Sequence, residues 1–131
     1  MTIVDTSVWI DFLEGGSHWT KERLKRKIED RESICYIEFI LLEVIQGVRE
    51  QRDRELLAKR FDSFVLLPHS RRVTLLASDI YQDLQRQGIR IRSVVDCVIA
   101  AVSIEHGCSV LHKDRDFTFI AEHYPIICES E

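Results

Sequence analysis

Short apolar runs recur along this chain, and each stops abruptly at a polar residue or a proline. Thr2-Ile3-Val4 ends at Asp5, Ser33-Ile34-Cys35-Tyr36 at the Ile37-Glu38 step, and Phe64-Val65-Leu66-Leu67 at Pro68. Cys108-Ser109-Val110-Leu111 ends at His112, and Ile126-Ile127-Cys128 is the last. Runs of three or four apolar and β-branched residues are too short for helices and read as buried strands. Between them lie stretches with apolar residues at helical spacing. Strands alternating with helices imply right-handed crossovers and a parallel sheet covered on both faces. The expected fold is therefore α/β: a three-layer α/β/α domain on a mainly parallel sheet of four to five strands.

The helices follow from caps and spacing. Thr6 to Leu13 carries Val8, Trp9, Phe12 and Leu13, and Glu14-Gly15-Gly16 ends it. Ser17 is expected to cap a charged helix running to about Arg31, with a thin stripe of Trp19, Leu24 and Ile28. Glu38 to about Val48 is apolar almost all round, which predicts a buried helix. A charged helix follows from near Glu50. Ser70 caps a long helix that Gly88 ends, and Ser93 starts another that Gly107 ends. Phe117 to His123 reads as a short helix.

At 131 residues one domain spanning 1–131 is expected. Such a domain buries roughly two-thirds of its unfolded surface. Hydrophobic residues at 45% and charged residues at 31% argue against wholesale disorder. A net charge of -4 argues against a protein that holds nucleic acid by bulk electrostatics. Cys35, Cys97, Cys108 and Cys128 form no CxxC pair and sit in or beside apolar runs. They read as reduced structural thiols, and with no signal sequence a cytoplasmic location is expected. No apolar run approaches the roughly 20 residues of a spanning helix, so no membrane partner is expected.

Four carboxylates stand in unusual positions. Asp5 and Asp114 end strands that a parallel sheet would align at one edge, where ligands bind in open α/β sheets. Asp96 falls in the first turn of a helix that leads into the fourth strand and runs antiparallel to the sheet, so that turn lies at the same edge. Glu43 is a lone charge within the most apolar helix, where an unpaired charge is costly. Asp116 is a fifth candidate. Each also has a local reading. Asp5, Asp114 and Asp116 suit turns and caps, Ser93-x-x-Asp96 is a variant capping box, and Glu43 could pair with a Lys or Arg. Taken as a set, hard oxygen ligands without His or Cys suit Mg²⁺ or Mn²⁺. Such an ion activates water against a phosphodiester. Lys113 and Arg115 flank the acids, and Arg90 and Arg92 precede Asp96, so these four are expected to guide the substrate's phosphate backbone. No His has a shared motif. His106 suits a helix C-terminus, and His112 lies near the acids.

These residues resemble a known family. Thr2-Ile3-Val4-Asp5-Thr6-Ser7-Val8-Trp9-Ile10 is similar to the opening of PIN-domain proteins of the VapC toxin type. Glu43-Val-Ile-Gln-Gly47 resembles their Glu-Leu-x-x-Gly, and Asp96-Cys-Val-Ile-Ala-Ala their Asp-x-x-Ile-Ala-Ala. Leu111-His-Lys-Asp114-Arg-Asp116-Phe117 resembles their strand-ending Thr-x-Asp-x-Asp-Phe. The resemblance implies a PIN-like fold and a Mg²⁺- or Mn²⁺-dependent endoribonuclease. It also implies a small antitoxin protein as partner, and a toxin homodimer. The family's metal-site acids fall on Asp5, Glu43, Asp96 and Asp114, and its supporting hydroxyl on Thr6 or Ser7. Two departures are visible. Tyr36-Ile37-Glu38 stands where small or hydroxyl residues are common, making Glu38 a competitor of Glu43. His112 replaces a common Thr. A phosphorelay receiver is one rival, but the Phe64 to Leu67 run ends without an acceptor Asp. A non-catalytic module of the same fold is another.

Overall fold

The computed structural model describes residues 1–131. The strands are β1 (Thr2–Val4), β2 (Ile34–Tyr36), β3 (Val65–Leu66), β4 (Ser109–Leu111) and β5 (Ile127–Cys128). The helices are α1 (Thr6–Leu13), α2 (Trp19–Glu29), α3 (Glu38–Gln46) and α4 (Gln51–Phe61), then α5 (Arg71–Arg86), α6 (Val94–His106) and α7 (Arg115–Ala121). The five strands form one sheet in the order β3-β2-β1-β4-β5. Every neighbouring pair is parallel.

That order fixes the layers. The chain moves outward from β1 through β2 to β3, then crosses back to β4 on the other flank of β1. With right-handed crossovers, α1 to α4 cover one face and α5 to α7 the other. The switch in direction falls between β1 and β4, which pair in register from Thr2 with Ser109 to Val4 with Leu111. Their C-terminal ends therefore share the crevice where open α/β sheets bind ligands. The Asp5 amide donates to the Leu111 carbonyl at 2.9 Å, holding the two strand ends together.

The core matches the apolar pattern. Phe61 is fully buried, with its ring 4.9 Å from Trp9 and 5.0 Å from Tyr36. Two local expectations fail. His18, not Ser17, caps α2, its Nδ1 accepting from the Thr20 amide at 3.4 Å. Only Ile40 and Val44 of α3 are buried, while Phe39 and Leu42 face outward at 41% and 52% exposure. A helix on one sheet face meets neighbours on one side only, whatever its composition. α7 also starts earlier than expected, because Asp114 caps it at Arg115.

At the far edge of the sheet sits a polar network that the sequence did not announce. Buried Lys27 donates to Thr2 at 3.2 Å and pairs with Glu32 and Glu129, both at 3.0 Å. Thr2 and Ser109 both bond to Glu129, which Arg23 also pairs at 3.1 Å. The starts of β1 and β4, helix α2 and the tail beyond β5 are thereby tied together.

Candidate active site

Asp5 follows β1 and caps α1. One carboxylate oxygen, Oδ2, accepts from the Ser7 amide at 3.1 Å and from the Ser7 hydroxyl. The Ser7 hydroxyl oxygen accepts in turn from the Lys113 amide at 3.3 Å, so it joins the β1 end to the β4 end. Asp114 follows β4 and caps α7, its Oδ1 accepting from the Asp116 amide at 3.0 Å. Both strand-ending acids thus spend one oxygen on a helix start and keep the other.

Asp96 and Asp116 are also buried, at 7% and 1% exposure. In α6 the cap is the Ser93 hydroxyl, which accepts from the Val95 amide at 3.2 Å. Asp96 makes no return bond, so the capping-box reading does not hold. Its Oδ2 is buried without a hydrogen-bond partner. Asp116 Oδ2 accepts from the Arg92 amide at 3.2 Å. Carboxylate oxygens of Asp96, Asp114 and Asp116 all lie within 4.8 Å of one another.

Glu43 projects from α3, half-buried, and accepts from the Thr6 hydroxyl at 3.0 Å rather than from a Lys or Arg. Glu38, its rival, is exposed at the start of α3. Asp5 and Glu43 stand outside the tight trio. Burial foremost raises Asp5 to about 6 against the Ser7 hydrogen bonds, and the Asp114 and Glu43 charges add to it. Asp96 is pushed up to about 8, first by burial and then by Asp5, Asp114, Asp116 and Glu43. Two buried acids held above the ordinary carboxylate range, with an unpaired buried oxygen among them, are what a divalent cation relieves. The residues present fit Mg²⁺ or Mn²⁺, whose ligands are oxygens.

The structure thus brings Asp5, Glu43, Asp96 and Asp114 together, with Thr6 and Ser7 in supporting contacts. It places Asp116 in the innermost trio, a rank its sequence position did not suggest. The signal available was the alternate spacing of Asp114 and Asp116 before buried Phe117. Of the four basic residues, Lys113 is already paired, its ammonium 2.7 Å from Asp11. The side chains of Arg90, Arg92 and Arg115 line a concavity beside the acids. His112 stacks on Phe117 with centroids 4.9 Å apart, and burial holds its pKa below the usual value. Its Nδ1 is buried without a hydrogen-bond partner. The middle strand proves to be β1, not β3, and Asp5 at its end is 4% exposed and engaged by Ser7. That burial does not suit the accessible acceptor of a phosphorelay.

Comparison with known proteins supplies the next observations. Residues 2–122 match the family described as PIN domain. The VapC ribonuclease Mb1587 of Mycobacterium bovis is 28% identical over 123 residues, covering 92% of each chain. Among solved structures, VapBC-1 of nontypeable Haemophilus influenzae superposes with a TM-score of 0.75 at 12% identity, covering 98% of this chain and 96% of that one. VapBC-5 of Mycobacterium tuberculosis, described as a member of the VapBC family of toxin-antitoxin systems, gives 0.68 at 18% identity, covering 97% and 95%. At such identities the structural likeness is one of fold. No helix is long and apolar enough to cross a membrane.

Proposed function

This chain belongs to the PIN-domain family, and we propose that it is a metal-dependent endoribonuclease, the toxin of a type II toxin–antitoxin pair. The reading includes a cytoplasmic, single-domain protein that forms a homodimer and is blocked by a small antitoxin protein. The observation that carries it is the buried, unpartnered oxygen of Asp96 among four other carboxylates at the β1–β4 switch point. The similarity to a VapC ribonuclease and to VapBC structures supports the same reading.

Asp96, Asp114 and Asp116 would hold Mg²⁺ or Mn²⁺, with Asp5 and Glu43 completing the site. When bound, such an ion acidifies water and offsets charge on a phosphoryl oxygen. The chain's own residues do the rest. Ser7 fixes Asp5 through its hydroxyl and amide, and Thr6 orients Glu43. Partners of this kind typically change metal affinity or activity 10–100-fold when removed, roughly. The exposed guanidiniums of Arg92 and Arg115 bind substrate phosphate beside the acids.

The test is cleavage of RNA with added Mg²⁺ or Mn²⁺ and with EDTA, comparing wild type with Asp5→Asn and Asp96→Asn. Wild type should cut only with metal, and both variants should fail while remaining folded. Metal-independent cleavage, or full activity in Asp96→Asn, refutes the reading.

A further inference from the structure

Beside the acidic cleft lies a concavity of about 900 Å³, comparable with the roughly 300–1,000 Å³ of ligand pockets. Tyr81 and Gln85 of α5 form one wall, the Gly88 to Arg92 loop another, and Arg115 at the start of α7 closes it. Two links join it to the carboxylates. The Arg92 amide donates to Asp116, and Arg115 stands between Asp114 and Asp116 in the chain.

Three exposed arginines, Arg90, Arg92 and Arg115, line this one space. The arginines that pair with a carboxylate, Arg23, Arg72 and Arg86, are not among its walls. Each unpaired guanidinium brings a planar fork of donors suited to phosphate. Such a concentration of like charge repels a metal ion and does not suit an apolar ligand. Tyr81 is half-buried and packed against the core, so its ring is a fixed wall rather than a mobile side chain. A fixed aromatic ring beside arginines is the arrangement that stacks an unpaired base and grips its phosphate.

We propose that this concavity is a nucleotide subsite, holding the unpaired RNA nucleotide next to the phosphate in the acidic cleft. The base stacks on Tyr81, the phosphates lie on Arg90, Arg92 and Arg115, and the Gln85 amide reads the base edge. The subsite deepens the RNA-hydrolysis reading and rests on it.

The experiment measures binding of short fluorescent RNA homopolymers by anisotropy, in EDTA so that nothing is cut. Wild type should rank the four homopolymers. Tyr81→Leu should weaken binding about tenfold, the scale of one stacked base, and Tyr81→Phe should restore it. Gln85→Ala should flatten the ranking. Replacing Arg90, Arg92 and Arg115 together by Gln should lower the slope of log affinity against log salt by about 2, at roughly 0.7 per phosphate contact. Folding of each variant is checked by circular dichroism. Undiminished affinity in Tyr81→Leu overturns the subsite. So does polyglutamate displacing RNA as well as unlabelled RNA does, the mark of a surface suited to an acidic protein segment. Metal-dependent cleavage by wild type is scored in parallel. Cleavage with affinity unmoved in Tyr81→Leu sinks the subsite alone. Tyr81-dependent binding without cleavage upholds the subsite and sinks the hydrolysis.

Discussion

Replacing Asp96 by asparagine should stabilise the metal-free protein, and the gain should grow with pH. Burial first, then the charges of Asp5, Asp114, Asp116 and Glu43, raise folded Asp96 from 3.8 to about 8. Unfolded, it titrates near its ordinary value of about 3.9. Between those values the native chain holds a proton that the unfolded chain has released. Stability therefore falls as pH rises through this window and levels off above about 8. Below about 3.9 both states are protonated and the penalty is absent. Each pH unit within the window is worth about 1.4 kcal/mol, so the whole effect is on the order of 5 kcal/mol. That is a large fraction of the roughly 5–15 kcal/mol by which a domain is stable.

Asparagine keeps the side chain's shape, carries no charge and offers an N–H₂ to the neighbouring carboxylates. Between pH 5 and 9 the stability gap between variant and wild type should widen by about 4 kcal/mol, which in a domain of this size is roughly 15 °C in Tm. Thermal unfolding in EDTA at pH 5, 7 and 9 reads it directly. Saturating Mn²⁺ should close the gap at pH 9, because the ion binds the native wild type and not its unfolded chain. A gap that stays constant from pH 5 to 9 would refute the reasoning, as would a variant less stable than wild type at pH 9.

Three further outcomes are expected. Glu43→Gln should weaken Mn²⁺ binding in calorimetry by about tenfold or more, while Glu38→Gln leaves it unchanged; the reverse would assign the site to the wrong end of α3. Lys27→Ala should lower stability in urea by about 1.5–3 kcal/mol, because Glu129 would lose its most buried cation while keeping Arg23 and the Thr2 and Ser109 hydroxyls. Phe61→Ala should cost about 3–5 kcal/mol in the same assay, as the ring is fully buried against Trp9 and Tyr36; a loss under 1 kcal/mol would mean the aromatic cluster is not the core contact described.

What the sequence revealed, and what it hid, divides along a physical line. Strand ends are legible because polar residues break apolar runs: Asp5 stops the first, and the polar stretch from His112 that holds Asp114 stops the fourth. Helix starts at Ser70 and Ser93 were legible because a hydroxyl cap is a local device, and both accept the expected amides. Features set by distant neighbours were not. Asp116 owes its place to an amide 24 residues away. Lys27 reads as one of many solvated charges on α2, and only the topology reveals that Thr2, Ser109 and Glu129 meet above it. The apolar excess of α3 was visible, but not that the fold covers one side of it.

The local and functional readings of the acids were also less opposed than the sequence suggested. Asp5 and Asp114 are both caps and members of the cluster, because a carboxylate has two oxygens and a cap uses one. The residue that separates the readings is Asp96, which caps nothing and has a buried oxygen without a partner. Helices α1, α6 and α7 all begin at this edge, so the positive ends of three helix dipoles face the carboxylates. Those partial charges do not offset the burial and the neighbouring charges, which together hold Asp5 and Asp96 well above the ordinary carboxylate range. The fold therefore gathers more negative charge than its own dipoles can balance, and the remainder is what a divalent cation would neutralise. A cluster built only to start helices would have no reason to bury Asp96 and Asp116, which cap nothing, beside the two caps.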